Sequence, residues 1–359
     1  MTEQFLRVIH ASHCNNLSGP YSSRMTNELQ DALPDFSRLT PDTVLNLVEH
    51  ALGRRCANLC RPLTSYINRV YDVEIEDGRW IVVKFYRPGR WSCDALQDEQ
   101  DFLFELSEQE IPVIAPMRCE DGQFIQDHHG MFYALFPKKG GRACDEPTPR
   151  QWLELGRLLA RVHAVGGLHA PRDRIVMGPR ESTAAQVRFI LESDFIRPSL
   201  RSQYEDAVRT LLDLVTPLFE GVEKIRIHGD CHRNNIICRP GEPFTLIDFD
   251  DMAVGPPVQD LWMLLPGHVR QSLAELGLLL EGYETFRELD RETLRLIEPL
   301  RAMRFIHYTA WCARQKADGG FVRLAPDWGS ESFWKQEIHN LGQQHREIVD
   351  SLKTPLPPL

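Results

Sequence analysis

The sequence predicts an α+β chain of two lobes, a small β-rich lobe first and a larger helical lobe after it. Three observations carry that prediction. At 359 residues and 41.4 kDa the chain is longer than one minimal core requires, so about two domains follow from length. Between residues 70 and 137 apolar side chains alternate in short runs broken by turn residues, the strand signature. From Trp152 onward the apolar spacing is helical, apart from short strand-like runs near residues 225 and 246.

Residues 1–38 show no sustained periodicity and read as a polar extension, within which Met25 is a candidate second start. Order begins at Thr40-Pro41-Asp42, a cap residue and a Pro ahead of Val44, Leu45, Leu47 and Val48, which predicts a helix. Val70–Ile75 and Trp80–Tyr86 predict a strand pair around the turn Glu76-Asp77-Gly78-Arg79. Asp94–Ser107 reads as a helix with a capping box between Asp94 and Gln97 and an inner stripe of Leu96, Leu103 and Leu106. Further strands are expected at Gln123–Ile125 and Met131–Phe136. Pro137-Lys138-Lys139-Gly140-Gly141 ends the β-rich part, dividing the chain at 39–137 and 138–359. Trp152–Val165 and Glu298–Arg314 are expected helices of the second lobe, and Thr354–Leu359 is a Pro-rich end.

Composition narrows the function. A formal net charge of −10 disfavours nucleic acid as the main partner, since phosphate contacts require a basic surface; it suits a cationic substrate, or simply solubility. Nine cysteines without a CxxC pair and without a zinc set predict reduced thiols and a cytoplasmic protein. No window reaches the roughly 18 apolar residues of a membrane span.

The chemistry is concentrated in one segment. Ile225–Ile237 places His228-Gly229-Asp230 and, five residues after the Asp, Asn235 on a loop between apolar runs; Leu246-Ile247 then ends in Asp248. This is the layout of a phosphoryl-transfer site, in which one carboxylate steers a hydroxyl and an Asn/Asp pair holds Mg²⁺. Asp230 would orient and deprotonate the acceptor, while Asn235 and Asp248 would offer the hard oxygens that Mg²⁺ prefers. His228 and His232 read as loop scaffold, and Asp250 and Asp251 either as helpers of the metal or as exposed carboxylates. Asp260, opening an apolar helix, reads as a structural first-turn acid.

Lys84 lies inside the apolar run Ile81–Phe85, where an uncompensated ammonium is costly, and Glu99 falls on the apolar stripe of its helix. Pairing the two while Lys84 contacts the phosphates of a nucleotide explains both charges. Neither GxGxxG nor GxxxxGK[ST] occurs in the chain. Leu63-Thr64-Ser65-Tyr66-Ile67-Asn68-Arg69 occupies the place of a phosphate loop, with Ser65 as the candidate contact and Asn68 ordering the turn.

His228-Gly229-Asp230-x-His232-x-x-Asn235 with Ile247-Asp248-x-Asp250 resembles the aminoglycoside phosphotransferase-like branch of the protein-kinase fold. Ser65–Tyr71, Val82–Pro88, Gly255–Leu265 and Glu298–Arg304 are similar to segments of bacterial stress-response kinases within that branch. The resemblance implies a cytoplasmic serine/threonine protein kinase of a stress response using ATP and Mg²⁺; a monomer is expected, and charge and hydropathy predict no nucleic-acid or membrane partner. It makes 39–137 the nucleotide-binding lobe and 138–359 the catalytic and substrate lobe. By position it implies Asp230 as proton acceptor, Asn235 and Asp248 as Mg²⁺ ligands and Ser65 as an ATP contact. Cys231 departs from a position commonly hydrophobic, and reads as a buried small residue or a sensitive thiol. Two rival readings are a small-molecule kinase acting on an amino alcohol or aminoglycoside, and a nucleotide-binding regulator without transfer activity.

Overall fold

The computed structural model describes residues 36–65, 67–144, 146–316, 325–354 and 356–357. The extension at 1–35 with Met25, Tyr66 of the candidate phosphate loop, and residues 355, 358 and 359 of the Pro-rich end lie outside them. In chain order the elements begin α1 (Pro41–Leu52), β1 (Cys56–Leu63), β2 (Arg69–Ile75), β3 (Trp80–Phe85), α2 (Cys93–Glu108), β4 (Ile125–His128), β5 (Met131–Pro137) and β6 (Arg142–Ala143). They continue with α3 (Pro149–Gly166), α4 (Ala184–Glu192), α5 (Pro198–Val215), β7 (Ile225–Ile227), β8 (Ile236–Cys238), β9 (Thr245–Leu246) and β10 (Ala253–Gly255). The last are α6 (Val258–Leu264), α7 (Leu273–Tyr283), α8 (Ile297–Gln315) and α9 (Glu331–Lys353). Among the described residues no helix is long and apolar enough to cross a membrane.

These elements pack as two units that interleave along the chain. The first holds the described residues up to 144 with Pro171–Arg174 and Arg233–Met252, and the second holds the rest. The sequence reading places a single boundary at 137/138. The packing differs because the hairpin β8–β9, paired with β6, also bridges through Leu246 to Val113, so the segment bearing Asn235 and Asp248 packs with the first unit.

The first unit is built on a five-stranded antiparallel sheet in the order β1-β2-β3-β5-β4. Its core gathers Val44 and Val48 of α1 with Val73, Ile81, Val83, Phe85 and Leu135 from the sheet. The Thr40 hydroxyl accepts the Thr43 N–H at 3.1 Å, so α1 starts where its cap predicts. β1 is absent from the sequence reading, and its pattern explains why. It is an edge strand with only Cys56 buried, a bulge between Cys56 and Cys60, and Asn58 at φ 57°, so no period-two alternation marks it.

The capping expectation for α2 is corrected. Ser92, not Asp94, caps the helix by accepting the Ala95 N–H at 3.0 Å, and Gln97 turns along the helix to Asp101 at 2.7 Å. Ser92 already has the extended backbone of a cap residue, which leaves Asp94 inside the first turn. β4 begins at Ile125, where the expected strand ended.

The second unit is mainly helical. Thr148 and Gln151 form a capping box at the start of α3. The short antiparallel pair β7–β10, in register Ile227↔Ala253, carries the His228-Gly229-Asp230 loop on its end.

Candidate active site

In the first unit a cavity of about 330 Å³ is lined by Ser65, Asn68, Lys84, Glu99, Asn235 and Asp248. β3 is the central strand of its sheet, not an edge, which buries Lys84 to 9% exposure. Its Nζ lies 3.1 Å from Asp248 Oδ1, 3.2 Å from Asp250 Oδ1 and 3.8 Å from Glu99 Oε1. Burial alone would lower this ammonium, but the three carboxylates outweigh it and hold Lys84 well above the ordinary lysine value.

Asn235 and Asp248 reach the same cavity because β8 and β9 form a strand-turn-strand excursion between them. The pair Ile236↔Leu246 closes the excursion, and the Ile247 N–H donates to the Asn235 carbonyl at 3.0 Å. Asp248 has φ 62° and ψ 64°, a left-handed conformation that costs a non-glycine residue on the order of 1–3 kcal/mol. Its side chain keeps 31% exposure. An amide oxygen and a partly exposed carboxylate on one cavity wall form a hard donor set that fits Mg²⁺.

Behind them lies a buried charge assembly that the sequence reading did not find. Asp250 and Asp251 are 0% and 1% exposed, which decides against the exposed alternative of the two that the sequence left open. Arg90 reaches Asp250 with one guanidinium nitrogen and Asp251 with another, the latter at 2.7 Å. Asn68 spans the same region, donating to Asp250 at 3.3 Å and accepting the Arg87 N–H at 3.1 Å. Burial would raise Asp250, but Arg90, Lys84 and Arg174 outweigh it and hold this carboxyl well below its ordinary value.

Arg174 pairs with Glu99 at 3.2 Å and donates to the Asp250 and Ala95 carbonyls, each at 2.7 Å. Glu99 is therefore shared by Lys84 and Arg174, and burial still pushes its carboxyl up. Arg90 and Arg174 sit over the Trp91 ring at 5.2 and 4.5 Å. No spacing rule couples residues 84, 90, 174 and 250, so only folding reveals that they are neighbours.

Asp230 belongs to the second unit. Its loop leaves β7 through Gly229, whose φ of 83° favours glycine. The His228 and Gly229 N–H groups both donate to Asp260, at 2.8 and 2.9 Å. Asp260 also lies 3.0 Å from His163 Nε2, whose Nδ1 meets the Tyr283 hydroxyl at 2.9 Å. Asp260 therefore splints the loop, and His163 supports it from α3, a role with no sequence signal.

Asp230 itself is 1% exposed. Arg304 of α8 donates to its Oδ1 at 2.8 Å, and His232 Nε2 lies 3.4 Å from Oδ2. His232 thus borders the carboxylate, whereas His228 braces the loop by accepting the Asp230 N–H at 3.3 Å. Cys231 is fully buried and burial pushes its thiol well up, the inert alternative.

A family model described as phosphotransferase enzyme family matches residues 59–297, most of the chain and all the residues just described from Ser65 to Asp260. The chain belongs to the phosphotransferase enzyme family. This phosphotransferase is 37% identical to stress response kinase A of Escherichia coli (strain K12) over 317 residues, 88% of this chain and 95% of that protein. It is also 37% identical to the serine/threonine protein kinase RdoA of Salmonella typhimurium over 310 residues, 86% of this chain and 93% of that one.

Among solved structures, the amicoumacin kinase hAmiN has a TM-score of 0.68 at 20% identity, covering 93% of this chain and 98% of its own. A microcompartment-associated aminopropanol kinase gives 0.63 at 17%, covering 88% and 98%. At those identities the likeness speaks to fold, the α+β aminoglycoside phosphotransferase-like architecture expected from the sequence. Phosphoryl transfer by a kinase is the chemistry of this phosphotransferase.

Proposed function

We propose that this phosphotransferase moves the γ-phosphoryl group of ATP to Ser/Thr hydroxyls of proteins, as a Mg²⁺-dependent, cytoplasmic and monomeric kinase of a bacterial stress response. The observation that carries the reading is the cavity that gathers Ser65, Lys84, Glu99, Asn235 and Asp248. Lys84 would meet the nucleotide phosphates, Glu99 would orient Lys84, and Ser65 with neighbouring backbone N–H groups would close over the phosphates. Asn235 and Asp248 would hold Mg²⁺, which when bound neutralises phosphate charge.

Asp230 would take the proton of the acceptor hydroxyl as its oxygen bonds to the γ-phosphorus. The bond from that phosphorus to the β,γ-bridging oxygen breaks, and ADP leaves. A protein acceptor is supported by the relative named as a serine/threonine protein kinase, which aligns along most of both chains.

The test is incubation of purified protein with labelled ATP, Mg²⁺ and a mixture of casein, choline and an aminoglycoside. Label on casein that disappears with Asp230→Asn is expected. Label on choline or the aminoglycoside alone would replace the protein acceptor with a small molecule.

A further inference from the structure

The whole chain carries a formal charge of −10, which by itself suits a cationic acceptor. The surroundings of Asp230 within its own unit point the other way. Arg304 holds one carboxylate oxygen at 2.8 Å, and the His232 ring stands 3.4 Å from the other. The Arg304 side chain keeps 19% exposure against 1% for Asp230, so the cationic partner of the pair is the more accessible one.

A second cation, Arg314, lies further along α8. His307 is fully buried, and its imidazole is pushed down to about 3 by burial first and then by Arg314 and Arg304. Both guanidiniums bear on one buried ring, which follows Arg304 by three residues and precedes Arg314 by seven. Arg314 donates to Gln186 at 2.7 Å. Tyr308, one turn beyond Arg304, stacks on the buried Trp311 with ring centroids 5.8 Å apart.

We propose that Arg304 is a specificity-determining residue that selects acceptors bearing an acidic group next to the reacting hydroxyl and rejects cationic ones. This rests on Asp230 being the proton acceptor. A hydroxyl brought to Asp230 carries its nearest substituents into the reach of Arg304. A neighbouring carboxylate gains a charge-assisted contact there, and a neighbouring ammonium meets repulsion. For a protein acceptor, the preferred sequence is a Ser or Thr flanked by Asp or Glu. For polycationic antibiotics the same guanidinium is a barrier.

The experiment uses the full-length protein with MgATP and three peptides identical except that one Ser is flanked by Glu, Ala or Arg. Two small alcohols of opposite charge, glycerate and choline, are assayed beside them. Wild type is expected to show kcat/KM about tenfold or more higher for the Glu peptide than for the Arg peptide, as a close charge contact implies. Arg304→Gln should bring that ratio close to one, and Arg304→Lys should preserve its direction. The ratio is taken within each variant, so a general loss of activity cancels.

A wild-type preference for the Arg peptide or for choline overturns the proposal, as does equal use of the peptides. So does an Arg304→Gln enzyme that loses activity equally on all three, which would make Arg304 a brace for Asp230 only. Labelling of glycerate without any peptide leaves the charge selection standing and removes the protein acceptor instead. Labelling of no acidic acceptor overturns the selection.

Discussion

Glu337 shows how one buried group outside the candidate site governs the response to pH. It lies on the inner face of α9 at 2% exposure, and its Oε1 accepts the Thr309 hydroxyl at 2.7 Å. Burial raises its carboxyl from 4.5 to about 7, with only the Thr309 bond opposing. The folded chain therefore keeps this proton up to about pH 7, whereas the unfolded chain releases it near 4.5. Its stabilising contribution is complete below that lower value and is lost as pH rises through about 7, a change of about 3 kcal/mol by linkage. Urea unfolding of Glu337→Gln at pH 5 and pH 8 should show a flatter pH dependence than wild type, with the gain confined to pH 8. An unchanged slope would assign the dependence to another group. Arg90 makes the opposite kind of point at the same scale. With Lys84 and Arg174 it holds the Asp250 carboxyl low, so the carboxylate that pairs with Lys84 is itself held by a residue that does not line the cavity.

At the scale of elements, the helical unit depends on how closely α3 and α7 approach. A Cβ at Gly156 would stand 2.1 Å from the Leu279 carbonyl oxygen, and one at Gly282 the same distance from that of Leu153. Each helix thus presents a glycine to the other's backbone, and no side-chain motion relieves a clash with a carbonyl. Gly156→Ala should lower the urea-unfolding free energy by about 2–3 kcal/mol, overpacking outweighing alanine's better helix propensity. Gly277→Ala on the same α7, where a Cβ meets nothing within 4 Å, should instead raise it by about 0.5–1 kcal/mol. Equal effects at the two positions would refute the close approach as the cause.

Across the whole molecule, the candidate parts of the reaction are divided between the two packing units. The cavity residues fall in the first and Asp230 in the second. A nucleotide held only by the folded chain stabilises it by about 2.7 kcal/mol at a hundredfold excess over Kd. MgATP should therefore raise the Tm of wild type and of Asp230→Asn alike. Asp248→Asn, or wild type with EDTA in excess, should lose most of that rise. If Asp230→Asn loses the rise as well, the nucleotide depends on both units, and the division of roles is wrong.

Much of this was legible in the sequence because it is local. Thr40 and the apolar spacing after it specify α1, the alternation at 70–86 specifies β2 and β3, and the 228–248 segment displays the phosphoryl-transfer layout within about twenty residues. Lys84 and Glu99 could be suspected since each puts a charge where its own element should be apolar. β1 escaped because an edge strand with a bulge carries no alternation, and the α2 cap because two polar residues compete within three positions. Arg90, Arg174, His163 and Arg304 acquire meaning only through partners up to 161 residues away. The sequence by itself determined the fold class and the chemistry of the loop, since both are written in local pattern and spacing. Which cations stand on Asp250 and Asp230 was decided only by the tertiary structure, because a charge is located by the chain folding around it.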